Sequence, residues 1–135
     1  MNPRMKELVR DLSIRNGASE AALREFALKT GIQFPDYYIE FMKESNGADG
    51  MIGKHSYLAL FPIEDITQIN EAAGTQEFAP GLILFADDGA DRSYAFDTRR
   101  RSVAIVEVPG VGLSLSASIP IGSTFIEFLE YLYKR

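Results

Sequence analysis

The segment between Phe34 and Gly47 constrains the fold most, because it contains the start signal, the apolar face and the stop signal of one short helix. Pro35 suits the first helical position, where its missing N–H leaves no hydrogen bond unmade. Asn46-Gly47 ends the helix, and we expect Gly47 to adopt a positive φ there. An i, i+3, i+4 spacing places three apolar side chains on one face: Tyr38, Phe41 and Met42. The segment therefore predicts a helix that begins at Pro35 and packs one face on a core.

Three other segments have helical patterns. Near the start of the chain, apolar residues recur at helical spacing, namely Met5, Leu8, Val9 and Leu12. Ser19 is expected to cap a second helix that ends at Gly31. Thr124 and Glu127 have the spacing of a capping box at the start of a final helix. We expect the apolar face of that final helix to be buried, and it consists of Phe125, Phe128, Leu129 and Leu132.

The rest of the chain has the pattern of strands joined by turns. Apolar runs or alternation typical of strands occur at 57–61, 82–86, 94–97, 103–108 and 113–118. Turn and loop residues dominate three other ranges, 47–55, 87–91 and 99–101. Helices followed by a series of strands and then a helix predict an α+β fold. The length of 135 residues predicts a single domain, residues 1–135.

Composition excludes several classes of site. The chain has no cysteine, so it can form neither disulfides nor thiolate metal sites. It has no apolar segment long enough to cross a membrane, and its first residues lack the apolar stretch of a secretory signal. We therefore expect a cytoplasmic protein that does not associate with membranes. Nothing in the sequence predicts an oligomeric state.

Negative charge is concentrated in the middle of the chain. Residues 34–91 carry eleven Asp and Glu against two Lys and Arg, a net charge of −9, whereas the whole chain has −5. This negative charge would repel the phosphates of a nucleic acid, which argues against nucleic-acid binding through this segment. The segment forms either an ordinary solvated surface or an acidic patch that attracts a basic protein. The candidate contacts of such a patch are Asp36, Asp49, Asp87, Asp88 and Asp91.

The sequence contains no recognisable catalytic or cofactor motif. Its single histidine, His55, lies in a Gly-rich segment, and no nucleophile elbow or phosphate-binding glycine loop is present. Asp87, Asp88 and Asp91 have three interpretations: a turn whose carboxylates cap backbone N–H groups, an acidic edge for a partner, or a cation site. The EF-hand spacing is not met. We therefore predict no catalytic residues, no metal and no cofactor.

Three motifs together resemble a known family. Phe34-Pro35-Asp36-Tyr37-Tyr38 with Asn46-Gly47, then 82–97, then 121–129 are similar in order and spacing to the signature of the SUKH superfamily, also called the Smi/Knr-type domain. The resemblance covers about residues 20–133. It implies an α+β fold in which N-terminal helices and a C-terminal helix pack on a twisted, mainly antiparallel β-sheet. The family often has a second glycine after Asn-Gly and contains tryptophan, whereas this chain has Ala48 and no tryptophan.

The resemblance also implies a function. Many such domains are bacterial immunity proteins that bind a cognate toxin domain, often a nuclease or deaminase, and block it without catalysis. We therefore expect a non-catalytic protein whose partner is a basic toxin domain. The alternative is a housekeeping regulatory or interaction module on the same fold with no toxin partner. A third reading, from a different class, is a small hydrolase or a metal-dependent enzyme that uses Asp87, Asp88 and Asp91.

Overall fold

The computed structural model describes all 135 residues and contains one seven-stranded sheet with helices on it. The helices are α1 Pro3–Leu8, α2 Glu20–Thr30, α3 Tyr38–Glu44, α4 Ile66–Ala73, α5 Thr75–Phe78 and α6 Phe125–Lys134. The strands are β1 Leu12–Ile14, β2 Ala48–Ile52, β3 Ser56–Leu60, β4 Leu82–Asp87, β5 Arg92–Asp97, β6 Ala104–Pro109 and β7 Ile119–Gly122. Two short 3₁₀ turns cover Ile63–Asp65 and Leu115–Ala117. This arrangement confirms the α+β prediction.

The strands follow one another across the sheet in chain order, from β1 to β7. Every neighbouring pair is antiparallel, so the sheet is a simple meander with β1 and β7 at its edges. Antiparallel neighbours need only short connections, which suits a chain whose strands are separated by turn residues. Two long excursions interrupt the meander: α2 and α3 are inserted between β1 and β2, and α4 and α5 between β3 and β4.

The two faces of the sheet are covered unequally. The helix-covered face holds the main core of 26 buried residues. Nine aromatic rings pack against one another in it, and Phe85 and Phe96 stack with centroids 4.1 Å apart. The opposite face has a second core of only six buried residues, five on strands β4 to β6 and the sixth, Ala79, just after α5. The part of this second face formed by β2 and β3 is left open, and it bears the exposed side chains of Met51 and Tyr57.

Local helix signals are confirmed at several ends. The Ser19 hydroxyl accepts a hydrogen bond from Ala22 N–H, and Gly31 ends α2 with a φ of 65°. Thr124 and Glu127 form the predicted capping box of α6. The predicted apolar face of α6 is fully buried. Gly47 has the predicted positive φ, at 85°, but it does not end the helix: α3 ends at Glu44 with Ser45 as its extended C-cap residue, and Gly47 lies in the bend before β2.

The helix predicted to begin at Pro35 begins instead at Tyr38. Pro35 starts a turn in which Tyr38 N–H donates to its carbonyl over 3.3 Å, and Tyr37 has a φ of 75°. Packing explains the difference, because the ring of Phe34 stacks on that of Phe26 with centroids 5.3 Å apart. The prediction was therefore right about the apolar face and wrong about the start.

Three other segments differ from the prediction. The helical spacing near the start of the chain includes Leu12, but α1 ends at Leu8 and Leu12 begins strand β1. The range 47–55, expected to be a loop, contains β2, where Gly50 passes so close to β1 that a Cβ would lie 3.0 Å from Asp11 O. The range 113–118, expected to be a strand, contains a 3₁₀ turn instead. There the Ser118 hydroxyl donates to Leu115 O over 2.7 Å. Serine hydroxyls favour turns over strands by hydrogen-bonding to nearby backbone groups in this way. The last strand, β7, therefore begins only after this turn.

Candidate protein-binding surface

The acidic turn between β4 and β5 is held by its own carboxylates. Asp87 Oδ1 accepts from Gly89 N–H over 2.9 Å, and Asp88 Oδ1 accepts from Ala90 N–H over 2.9 Å and Arg92 N–H over 3.0 Å. Asp91 is exposed and its side chain makes no hydrogen bond within the protein. The interpretation as a turn whose carboxylates cap backbone N–H groups is thus confirmed for Asp87 and Asp88, but not for Asp91. The second oxygen of each carboxylate makes no hydrogen bond within the protein, so it retains its capacity to accept one.

Strand register brings two of the candidate residues onto the same face. Asp49 on β2 and Asp87 on β4 both lie opposite Ala59 on the strand between them. Residues paired in this way point to the same side of a sheet. Two strand spacings separate the backbones of Asp49 and Asp87, which is about 10 Å. The two carboxylates therefore flank β3 on the open face.

Tyr57 lies on β3, between the strand that carries Asp49 and the strand that carries Asp87. It precedes Ala59 by two residues on β3, so its side chain is on the same face. Its hydroxyl donates to Asp49 Oδ2 over 3.3 Å, and a Cβ on Gly89 would come within 2.8 Å of its ring. Burial raises the pKa of the Tyr57 phenol, and the charges of Asp49 and Asp87 raise it further. The ring is nevertheless 37% exposed, so a partner can reach it.

Two neighbours complete the surface. Met51 pairs with Tyr57 across the β2–β3 hairpin and is 45% exposed, so an apolar side chain adjoins the aromatic one. Arg15 approaches Asp49 Oδ1 to 3.4 Å from the other side, with both side chains half exposed. We call the set of Asp49, Met51, Tyr57, Asp87, Asp88 and Asp91 the acidic face.

Asp36 lies elsewhere. Its side chain is exposed in the turn before α3, on the helix-covered side of the sheet, and its carbonyl accepts from Phe125 N–H. It lines a cavity with Arg101 and Ser123, and none of the other candidates does. The structure therefore brings together Asp49, Asp87, Asp88 and Asp91 but not Asp36. A binding role for Asp36 stays a prediction.

Sequence reasoning missed Tyr57 and Met51 as surface residues. A signal for Tyr57 was present, because the alternation Tyr57-Leu58-Ala59-Leu60 places Tyr57 opposite two buried leucines. Met51 had no such signal, since its strand was interpreted as a loop.

Polar side chains near the acidic face do not form a catalytic arrangement. His55 is exposed in the β2–β3 turn and lines a cavity of about 310 Å³ with Ser56 and Asp88. No hydrogen bond joins these three side chains, so the base–nucleophile geometry of a triad is not formed. No group of three or more His, Asp or Glu side chains is arranged to hold a metal ion.

A buried carboxylate near this end of the sheet has a structural role. Glu107 is 3% exposed, and it accepts from Arg92 over 2.9 Å and from Arg135 over 2.7 Å. Both of its oxygens are thus paired with guanidinium groups, which is how a buried charge is tolerated. Glu107 is on the helix-covered face with Tyr94 and is not available to a partner.

Comparison with known proteins identifies the family. The sequence model of the SMI1 / KNR4 family (SUKH-1) matches residues 17–131, which extend from before α2 into α6. The chain belongs to this family. The resemblance noted in the three sequence motifs is thereby confirmed, and the acidic face is a surface of a SUKH domain. No curated protein is similar enough in sequence to match. None of the helices has the length and apolar character needed to cross a membrane.

Proposed function

We propose that this SUKH domain is a cytoplasmic bacterial immunity protein that binds a cognate toxin domain and blocks it stoichiometrically, without catalysis. The family includes immunity proteins, which supports the class of function. The single observation that supports the binding surface is the position of Tyr57 between Asp49 and Asp87 on an uncovered part of the sheet. The toxin would be a nuclease or a deaminase that acts on nucleic acid.

The composition of the acidic face suits a protein partner. Binding energy in protein interfaces is concentrated in aromatic anchors surrounded by polar residues, and Tyr57 with Met51 has that arrangement. A toxin that acts on nucleic acid needs basic side chains for phosphates. Those same side chains would be attracted by the acidic face, which would speed association and block the nucleic-acid site.

The face is suited to an arginine of the partner in particular. An arginine over the Tyr57 ring would gain a cation–π interaction and could donate to the carboxylates of Asp49 and Asp87 on either side. Arg15 of the chain itself reaches Asp49 in this way, which demonstrates that a guanidinium fits against that carboxylate. An arginine of the partner would either compete with Arg15 for Asp49 or bind the carboxylate of Asp87 instead.

The alternative is a housekeeping interaction module that uses the same face for a basic partner that is not a toxin. The two readings differ in the partner and not in the surface. A toxin gene next to the gene of this chain would favour immunity, and co-expression would decide, since an immunity protein must restore growth in cells that make the toxin.

The test begins with a pull-down at native expression level to identify the partner. Dissociation constants are then measured for wild type, Tyr57→Ala and Tyr131→Ala. The control Tyr131 is equally exposed, at 37%, but lies on α6 across the sheet. We expect Tyr57→Ala to weaken binding at least tenfold, as loss of an interface anchor does, and Tyr131→Ala to leave it unchanged. Equal affinity of all three proteins would exclude the acidic face as the binding surface.

A further inference from the structure

A polar cleft of about 310 Å³ opens at one end of the sheet, where the β2–β3 turn, the acidic turn and the end of α6 meet. All of its lining side chains carry a polar atom, and they are His55, Ser56, Tyr57, Asp88, Tyr94 and Arg135. The volume is at the lower end of the range of small-molecule sites, about 300–1,000 Å³. The cleft adjoins the acidic face, because Tyr57 and Asp88 belong to both.

Two hydroxyl groups of this cleft lack a partner although their residues are almost completely buried. Tyr94 is 1% exposed and Ser56 is 8% exposed, and neither hydroxyl makes a hydrogen bond within the protein. Both oxygens are nevertheless open to the cleft, because the only unpaired side-chain oxygens that are sealed from solvent are those of Tyr38 and Thr75. Buried polar groups are nearly always hydrogen-bonded, so two unpaired hydroxyls at one opening point to a ligand.

The Tyr94 hydroxyl is a donor without an acceptor. Burial raises the pKa of its phenol, and the charges of Glu107 and Asp88 raise it further, so the group keeps its proton at neutral pH. Glu107 faces Tyr94 across β5 and β6, but both of its oxygens are already paired with guanidinium groups. Asp88 Oδ1 already accepts from Ala90 and Arg92 N–H. A ligand that accepts hydrogen bonds would supply what the phenol lacks.

Arg135 adds a fixed positive charge to the cleft. Its Nη1 donates to Glu107 Oε1 over 2.7 Å, and its guanidinium carbon lies 5.5 Å from the centre of the Tyr131 ring. These two contacts position the group but leave Nε and Nη2 unpaired, and the side chain is 42% exposed. A guanidinium with free N–H groups on one side is suited to an oxyanion.

A second cavity, of about 470 Å³, adjoins the cleft and is basic. His55 and Arg135 line both cavities. The second one is lined by four Arg and Lys residues against one Asp, a net charge of +3, and the four are Arg10, Lys54, Lys134 and Arg135. Asp11 is 3.9 Å from Arg10 Nε, whereas Lys54 and Lys134 form no ion pair within the protein. This excess of positive charge attracts an anion to the mouth of the cleft.

We propose that this cleft binds a small molecule that carries a phosphate monoester. The phosphate oxygens accept from the hydroxyls of Tyr94 and Ser56 and from the free N–H groups of Arg135. The unpaired lysines of the second cavity favour a dianion over a singly charged group. Asp88 excludes a second anionic group from its side of the cleft and can accept from a hydroxyl of the ligand. This inference goes beyond the immunity function, since binding does not require a toxin.

The test titrates inorganic phosphate and glycerol 3-phosphate into the full chain at pH 7.5 while backbone amide NMR shifts are recorded. Sodium chloride keeps the ionic strength constant. We expect saturable shifts confined to the start of β3, the acidic turn with the start of β5, and the last turn of α6. Shifts that are absent, or that chloride alone reproduces, would overturn the site. Dimethyl phosphate has a single charge and should bind about tenfold more weakly, and equal binding would overturn the monoester assignment.

Tyr94→Phe provides the sharpest variant, because it removes only the hydroxyl and keeps the ring on that of Phe128, 5.1 Å away between centroids. We expect it to be at least as stable as wild type, since it removes an unpaired polar group, and to bind phosphate about tenfold more weakly. Tyr37→Phe is the matched control, because Tyr37 is 40% exposed in the turn before α3. Equal affinity of Tyr94→Phe, Tyr37→Phe and wild type would overturn the proposal.

A second pair of variants separates the cleft from adventitious binding at surface lysines. Lys54→Gln and Lys29→Gln remove the same charge, and Lys29 is exposed on α2, outside both cavities. We expect Lys54→Gln to weaken binding less than Tyr94→Phe does, and Lys29→Gln to leave it unchanged. Binding that Lys54→Gln abolishes and Tyr94→Phe leaves intact would mean an adventitious ion only. Toxin binding is measured separately, so neither result bears on the immunity function.

Discussion

The backbone carbonyl of Asp36 accepts a hydrogen bond of 3.0 Å from the N–H of Phe125. Phe125 is the first residue of α6, and the first N–H groups of a helix have no partner within it. The bond therefore satisfies a free donor and ties the turn before α3 to the start of α6. If the helix began at Pro35, the Asp36 carbonyl would instead accept from the N–H four residues later.

The core role of α6 leads to the first prediction. The Phe128 ring is fully buried, with centroids 5.1 Å from that of Tyr94 and 5.4 Å from that of Phe85. Phe128→Ala should lower the free energy of unfolding by about 3–5 kcal/mol, because it removes apolar contacts and leaves a cavity. Urea unfolding measures this value. Tyr131→Ala on the exposed side of the same helix should cost about 1 kcal/mol or less, and a similar cost for both would contradict the core assignment.

Gly47 allows a second prediction with a matched control. Gly47 and Gly31 both have positive φ, 85° and 65°. A Cβ on Gly47 would lie 2.7 Å from Leu60 O, whereas nothing lies within 4 Å of one on Gly31. Gly31→Ala should therefore cost only the backbone strain, about 1–2 kcal/mol, and Gly47→Ala should cost more because β3 must also shift. Equal losses in urea unfolding would mean that the close approach of Gly47 to β3 is unimportant.

These two sites also indicate which parts of the fold could be predicted. The capping box and apolar face of α6 are local patterns, and so is the positive φ of Gly47, so the sequence alone was sufficient. Strand β2 is different, because its Gly-rich sequence favours a loop and its pairing depends in part on β1, which is distant along the chain. Pro35 suggested the wrong helix start for a similar reason, since contacts with distant residues, Phe34 with Phe26 and Asp36 with Phe125, override its helical preference.

The sequence predicted which charged residues could form the candidate surface, but it did not predict how these residues are arranged in space. Asp49 and Asp87 lie on the same face because both pair with Ala59. This register could not be predicted from the sequence, because β2 was interpreted as a loop. Asp36 looked equivalent in the sequence, yet it lies on the other side of the sheet. Tyr57 is a candidate binding residue because of its hydrogen bond to Asp49 and its proximity to Gly89. Neither contact can be inferred from the sequence until the positions of the strands are known.

The capping box predicts a specific dependence of stability on pH. Hydrogen bonds from Ser123 and from the Thr124 backbone lower the pKa of Glu127 from its ordinary value of 4.5. Because the pKa is lower in the folded state, the ionised carboxylate stabilises the fold above pH 4.5, and this contribution is lost as the pH falls through the lower, folded value. Glu127→Gln should therefore be less stable than wild type at pH 7, and the difference should shrink below pH 4.5.

Unfolding in urea at pH 7, 5, 4 and 3 would measure that difference. Glu25→Gln is the control, because Glu25 is exposed on α2 and makes no side-chain hydrogen bond. Its difference from wild type should stay small at every pH. A Glu127→Gln difference that does not change with pH would show that the glutamine amide replaces the carboxylate in the cap and that ionisation is unimportant there.

The last prediction concerns the charge of the acidic turn. Replacing Asp87, Asp88 and Asp91 together by Asn should slow association with the basic partner and flatten its dependence on salt, because exposed charges act mainly on the association rate. Asn is the right substitution, since its Oδ1 can still accept from Gly89, Ala90 and Arg92 N–H, as the aspartates do. The free energy of unfolding should therefore change little.

A charge-matched control separates local from overall electrostatics. Glu20, Glu25 and Glu40 are exposed on α2 and α3, on the helix-covered side of the sheet, and their replacement by Gln removes the same charge. Stopped-flow association at several salt concentrations should give a reduced rate and a shallower salt slope for the turn variant only. If both variants slow association equally, the partner responds to net charge and not to the acidic face. If neither does, the toxin or other partner binds through a different surface.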